Sequence, residues 1–108
     1  MDIKDLVKEA HENATKHGFW NFYDNLADEY EETKQALKSQ FLMLIVGEVS
    51  EAMEGLRKSD TDNFKEELAD IVIRTCDLAG GLDIDLEAEI IKKMEKNKNR
   101  PYKHGKQF

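Results

Sequence analysis

From Thr33 to Lys58 no proline interrupts the chain, and Leu42, Ile45, Val49, Ala52 and Leu56 return at alternating steps of three and four. Only an α-helix places residues at that interval on one side, so this stretch predicts a long helix carrying a packing seam. The rest of the chain follows suit. Its one proline is Pro101, its glycines number six, and 36% of its residues are charged, with Glu, Lys, Leu and Ala abundant. That composition favours helices over strands. Ile3, Leu6, Val7 and Ala10 share a helical face behind Asp2, a residue suited to capping, and Gly18 is a natural stop. Phe19, Trp20, Phe22 and Tyr23 come next, continued by Leu26, Ala27 and Tyr30 as either a short helix or a loop. Asn63 with Glu66 three residues on resembles a capping box opening a third helix, which Gly80 and Gly81 would end. Asp85 would cap a fourth helix reaching about Lys98. The expected fold is all-α, four main helices in an antiparallel bundle, within a single domain over 1–108 that ends in a basic tail from about 99–108.

A chain of 108 residues buries a modest core, which makes completion by homodimerisation a natural expectation. The single Cys76, set among Ile71, Val72 and Leu78, reads as a buried structural thiol in a reducing compartment. No apolar run is long enough to span a bilayer or resembles a signal peptide, so a soluble, cytoplasmic protein without membrane partners is expected. The net charge of −7 weighs against nucleic acid as a partner. It is unevenly spread: Lys92 to Lys106 holds seven of the sixteen basic residues and one acid, Glu95. An adaptor to nucleic acid through that tail would bind in a salt-sensitive way.

Chemistry concentrates in two acidic pairs. Glu48 and Glu51 lie three residues apart on the second helix, beside its seam, and Glu67 and Asp70 repeat the spacing on the third. The short link between the helices implies an antiparallel hairpin, in which the two pairs stand at heights differing by less than one turn of about 5.4 Å. Provided the two faces are turned toward each other, four carboxylates converge. Such a group needs raised pKa values or a cation. A donor set made only of oxygen suits Mg²⁺ or Mn²⁺ better than Zn²⁺. Di-iron bundles require Glu-x-x-His, which is absent, the residues three before His11, His17 and His104 being Lys8, Ala14 and Pro101. The plainer alternative is a solvated acidic face on a non-catalytic dimerisation or regulatory module.

Gly47-Glu48-Val49-Ser50-Glu51 followed by Glu67-Leu68-Ala69-Asp70 resembles the hallmark of the MazG-like all-α pyrophosphohydrolases, Glu-Glu-x-x-Glu and then Glu-x-x-Asp. Gly47 replaces the first glutamate, which is generally not a metal ligand in that family. The resemblance extends through Gly80 to Asp85 and the ending Lys93 to Gly105, covering roughly residues 15–108. It implies hydrolysis of a nucleoside triphosphate to the monophosphate and pyrophosphate, with Mg²⁺, or Mn²⁺ in its place, held by Glu48, Glu51, Glu67 and Asp70 as catalytic and metal residues. It also implies phosphate or nucleotide contacts from Lys93, Asn97 and Arg100, base contacts from Trp20 and His17, a homodimer or dimer of dimers, and a role in controlling or cleansing the nucleotide pool. Read without the resemblance, Trp20 and its aromatic neighbours are core residues, and Arg74 and Asp77, following Asp70 on the charged face of the third helix, either pair with each other, the first reading, or extend the site.

Overall fold

The computed structural model describes residues 1–108, and it is all-helical. Five α-helices, α1 (Ile3–Lys16), α2 (Asn21–Asp24), α3 (Glu31–Arg57), α4 (Thr61–Gly81) and α5 (Leu86–Lys98), are followed by a 3₁₀ turn at Tyr102–Gly105. No helix is long and apolar enough to cross a membrane. α1 and α5 begin as the sequence implied: the Asp2 carboxylate accepts from the Asp5 N–H at 2.8 Å and that of Asp85 from the Ala88 N–H at 3.1 Å. α1 ends at His17, after which Gly18 turns the chain with a φ of +87° that other residues rarely adopt. The undecided segment is a single helical turn, α2, followed by irregular chain as far as Tyr30.

Both ends of α4 differ from expectation. Its cap is Asp60, whose carboxylate accepts from the Asn63 N–H at 3.1 Å, so Asn63 sits inside the first turn and forms no capping box. At the other end α4 runs through Gly80 and Gly81, and the left-handed residue that turns the chain is Asp83, with φ of 56°. The two glycines are there for space. A Cβ on Gly80 would lie 2.7 Å from the His11 Cβ, and one on Gly81 would lie 2.2 Å from the Trp20 ring.

α4 is the central helix, with α3 on one side and α1 on the other; α5 leans on α1 and makes no substantial contact with α3. The four long helices therefore form an open arrangement with α4 in the middle, and of the expected antiparallel bundle the α3–α4 hairpin is its best-packed part. α3 and α4 are an antiparallel hairpin, because Gly55 faces Phe64 near the link while Glu48 faces Arg74 farther along.

The sheltered face of α3 keeps Ile45 and Ala52 of the expected seam but is turned from it by roughly 60°, at about 100° per residue. Phe41, Ile45, Glu48, Ala52 and Gly55 form its sheltered face, with Ala52 and Gly55 buried where the small residues let α4 approach. Leu42, Val49 and Leu56, expected to pack, are instead 55%, 49% and 56% exposed, and Val46 and Met53 complete that bare stripe. Only seven of 108 residues are buried, among them Cys76, whose thiol pKa is pushed up by that burial as expected of a structural cysteine.

Candidate metal centre and its cleft

Antiparallel pairing of α3 and α4 brings Glu48 opposite Glu67 and Asp70. One oxygen from each of these three carboxylates lies within 4.8 Å of the others. Glu67 is buried and its Oε2 has no hydrogen-bond partner, whereas Glu48 and Asp70 are half-buried. Glu51, one turn along α3 from Glu48, is exposed and stands at the edge of the group, close enough to hydrogen-bond Glu48 and to repel Glu67. The i, i+3 spacing thus delivers both pairs to one place, with three acids gathered tightly and the fourth beside them.

The electrostatics show what such crowding does. Glu67 is pushed from the ordinary 4.5 up to about 7, first by sharing a hydrogen bond with Glu48, then by burial, then by the charges of Glu51, Glu48 and Asp70. Glu48 is correspondingly held below its ordinary value by the hydrogen bond from Glu67 and then by that from Arg74, against the opposing effect of burial. A proton on Glu67 is thus the stand-in for a cation. A buried, unpartnered carboxylate oxygen among three convergent acids fits Mg²⁺ or Mn²⁺, hard ions that take oxygen donors.

A pH dependence follows. The folded chain binds this proton more tightly than the unfolded chain, so the associated stability is fully present below about 4.5 and is lost as pH rises through about 7. The metal-free protein should melt at a lower temperature at pH 8 than at pH 5.5, and saturating Mn²⁺ should raise the pH 8 value most. Thermal melts at the two pH values check this; a metal-free melting temperature that rises between them contradicts it.

Beside the carboxylates opens a cleft of about 310 Å³. Glu48, Asp70, Arg74 and Asp77 give it charged lining, and Ala10, Phe41, Leu44 and Ile73 apolar lining. On the α1 side the small side chains of Ala10 and Ala14 leave room, while Asn13 offers an amide to whatever enters. Arg74 reaches across from α4, its Nε donating to Glu48 Oε1 at 2.8 Å. It does not pair with Asp77, contrary to the simple reading of their spacing. Asp77 Oδ1 instead accepts the Trp20 indole N–H at 2.8 Å and lies 3.0 Å from His11 Nδ1.

Trp20 is correspondingly a core residue. It is 0% exposed, stacks on Phe41 with ring centroids 4.3 Å apart, and meets His11 and Tyr23 edge-on. A fully covered ring has no face to offer a base, so the base-stacking role is corrected: Trp20 shapes the cleft from behind Phe41. His17 caps α1, its ring nitrogen 2.8 Å from the Asn13 carbonyl oxygen, and is exposed outside the cleft. Lys93, Asn97 and Arg100 sit on or just after α5 and line no part of the cleft; Lys93 and Arg100 are exposed, and Arg100 Nη1 lies 3.5 Å from Asn97 Oδ1. Within one chain, then, the carboxylates meet and the C-terminal cations stay apart from them. Arg74 and Asp77 do extend the site, as the second reading of them had it, and what sequence reasoning missed is the partner of Arg74, Glu48, and the cleft wall from α1. Arg74 standing one turn beyond Asp70 was the available signal.

A family model described as the MazG-like family matches residues 31–108, from the start of α3 to the last residue. Neither a curated protein nor a solved structure matches the chain.

Proposed function

The chain belongs to the MazG-like family, and on that premise we propose that it is a Mg²⁺-dependent nucleotide pyrophosphohydrolase, cleaving a nucleoside or deoxynucleoside triphosphate into the monophosphate and pyrophosphate. One observation carries the proposal: two acids of the three-carboxylate cluster, Glu48 and Asp70, line a cleft whose walls are otherwise largely apolar. A ligand seated there can meet both a metal held by the acids and apolar surface, as the phosphates and nucleoside of a nucleotide would.

Glu48, Glu67 and Asp70 would hold Mg²⁺ or Mn²⁺, with Glu51 as the fourth donor or as acceptor of a proton from the attacking water. The ion, when bound, would neutralise phosphate charge and favour ionisation of that water. Glu67 must give up its proton for the ion to settle, which ties metal affinity to pH. Phe41, backed by Trp20, and Leu44 would shelter the nucleoside from water, and Asn13 would hydrogen-bond its base or sugar.

The substrate's other contacts call for a second copy. Leu42, Val46, Val49, Met53 and Leu56 recur at steps of four and three along α3, each 49–56% exposed, the pattern by which one helix packs on another. With so few buried residues in one chain, this bare stripe supports a homodimer formed through α3, or a dimer of dimers. A phosphate role for Lys93, Asn97 and Arg100 belongs to such an assembly, in which a partner's α5 approaches the site. Val49→Glu places a charge in mid-stripe and should leave a folded monomer, read by sedimentation at micromolar concentration. A native chain that already sediments as a monomer rules the dimer out.

The direct test of function is pyrophosphate release from a panel of ribo- and deoxyribonucleoside triphosphates, with and without Mg²⁺, for the native chain and Asp70→Asn. Metal-dependent release lost in the variant supports the proposal. A folded protein inactive on the whole panel favours a helical binding module with a structural metal or a solvated acidic face.

A further inference from the structure

Arg74 is the one cation lining the cleft that also holds Glu48 and Asp70. It stands one helical turn beyond Asp70 on α4, so its guanidinium rises beside the carboxylate cluster. Its Nε donates to Glu48 Oε1 at 2.8 Å, with the arginine side chain 38% exposed and that of Glu48 15%. That bond engages one nitrogen of three, and no other hydrogen bond ties the guanidinium down. Arg74 therefore holds a carboxylate that belongs to the metal cluster, while a planar fork of uncommitted donors faces the cleft.

The two uses of Glu48 compete. An ion drawn in by Glu48, Glu67 and Asp70 must share the Glu48 carboxylate with Arg74, and the guanidinium's permanent positive charge, on that same carboxylate, opposes a divalent cation there. Once Glu48 turns to the ion, the guanidinium loses its partner. Of the other acids lining the cleft, Asp70 belongs to the metal cluster and Asp77 is already bonded to Trp20, so a substrate phosphate is the anion left to take up the guanidinium, the only Lys or Arg in the lining.

We propose that Arg74 is a counterion switch: it neutralises Glu48 in the free protein, releases it to a divalent cation, and then hydrogen-bonds a phosphate of the triphosphate in the cleft. The phosphate half rests on the pyrophosphohydrolase proposal; the metal half stands on the cluster alone. A static staple between α3 and α4 would show the same bond but would not respond to ligands.

Mn²⁺ alone is titrated by calorimetry into the native chain and into Arg74→Gln, with no nucleotide present. Removal of the competitor should tighten Mn²⁺ binding by about tenfold, within the span usual for coupled ligands. With Mn²⁺ saturating, inorganic tripolyphosphate should bind Arg74→Gln about tenfold more weakly than the native chain. Unchanged or weaker Mn²⁺ binding by a folded variant overturns the switch, and unchanged tripolyphosphate affinity overturns its phosphate half. Should Arg74→Gln not fold, nitrogen NMR of the native protein decides: the Arg74 Nε–H resonance should shift on adding Mg²⁺ and again on adding tripolyphosphate, and a resonance that ignores both overturns the proposal. Failure of the pyrophosphohydrolase proposal looks different, since Mn²⁺ would still compete with Arg74 while no triphosphate was hydrolysed.

Discussion

Replacing Glu67 by Gln is expected to remove divalent-cation binding and yet make the metal-free protein more heat-resistant at pH 8. Glu67 is buried, its Oε2 lacks a partner, and the charges of Glu48, Glu51 and Asp70 surround it. Above pH 7 the native metal-free fold carries an ionised carboxylate in that position. Glutamine keeps the shape, carries no charge, and donates through its amide N–H to Glu48, so the strain of crowded acids disappears. The same change removes a metal ligand. A bound metal contributes several kcal/mol to phosphoryl chemistry, so pyrophosphate release should fall on the order of a thousandfold. Melting curves at pH 8 and Mn²⁺ calorimetry on one preparation show both effects. A variant that loses stability, or that binds Mn²⁺ as tightly as the native chain, contradicts the assigned role. The opposite signs matter because a purely structural glutamate would lose stability on substitution.

Trp20→Ala should be the most destabilising single change, costing about 3–5 kcal/mol. A small domain has about 5–15 kcal/mol in all, so much of the fold's stability rides on this ring. Trp20 is fully covered, stacks on Phe41 and donates to Asp77 at 2.8 Å, thereby linking the α2 turn to α3 and α4. Gly81→Ala should destabilise through the same ring, because the new Cβ would lie 2.2 Å from it and neither the helix backbone nor a buried indole yields easily. Urea unfolding followed by helix signal measures both. A Trp20→Ala protein that is as stable as the native chain but has lost nucleotide affinity would restore the base-stacking role that the burial denies.

How far the fold could be read from the sequence depended on the range of the interaction. Asp2 and Asp85 cap their helices through hydrogen bonds three residues away, so both were legible. Asn63 and Glu66 looked equally local, but Asp60, also three residues before an N–H in need of an acceptor, took the position. The rotation of α3 was not legible because two apolar stripes interleave on it, Phe41, Ile45 and Ala52 on one and Leu42, Val46, Val49 and Met53 on the next. Periodicity finds such stripes, while only the neighbouring helix decides which is covered. Gly80 and Gly81 look like a stop because sequence shows their permissiveness and hides the indole that Gly81 makes room for.

The candidate site divides the same way. Spacing of three within α3 and within α4 put each acidic pair on one face, and a short link at matched heights let them meet. Pairings across helices were out of reach: Asp77 bonds Trp20 at a separation of 57 residues, and Arg74 bonds Glu48 at 26. Both cross-helix bonds answer the question of where a buried or half-buried charge finds its partner, which depends on the assembled fold.

The most direct test of the central claim is hydrolysis of a nucleoside triphosphate in heavy-oxygen water with Mg²⁺, followed by mass spectrometry of the products. If the carboxylate cluster directs water to the α-phosphorus, the label appears in the nucleoside monophosphate and the pyrophosphate carries none. Label in pyrophosphate, release of labelled orthophosphate, or turnover that persists in Asp70→Asn would contradict it.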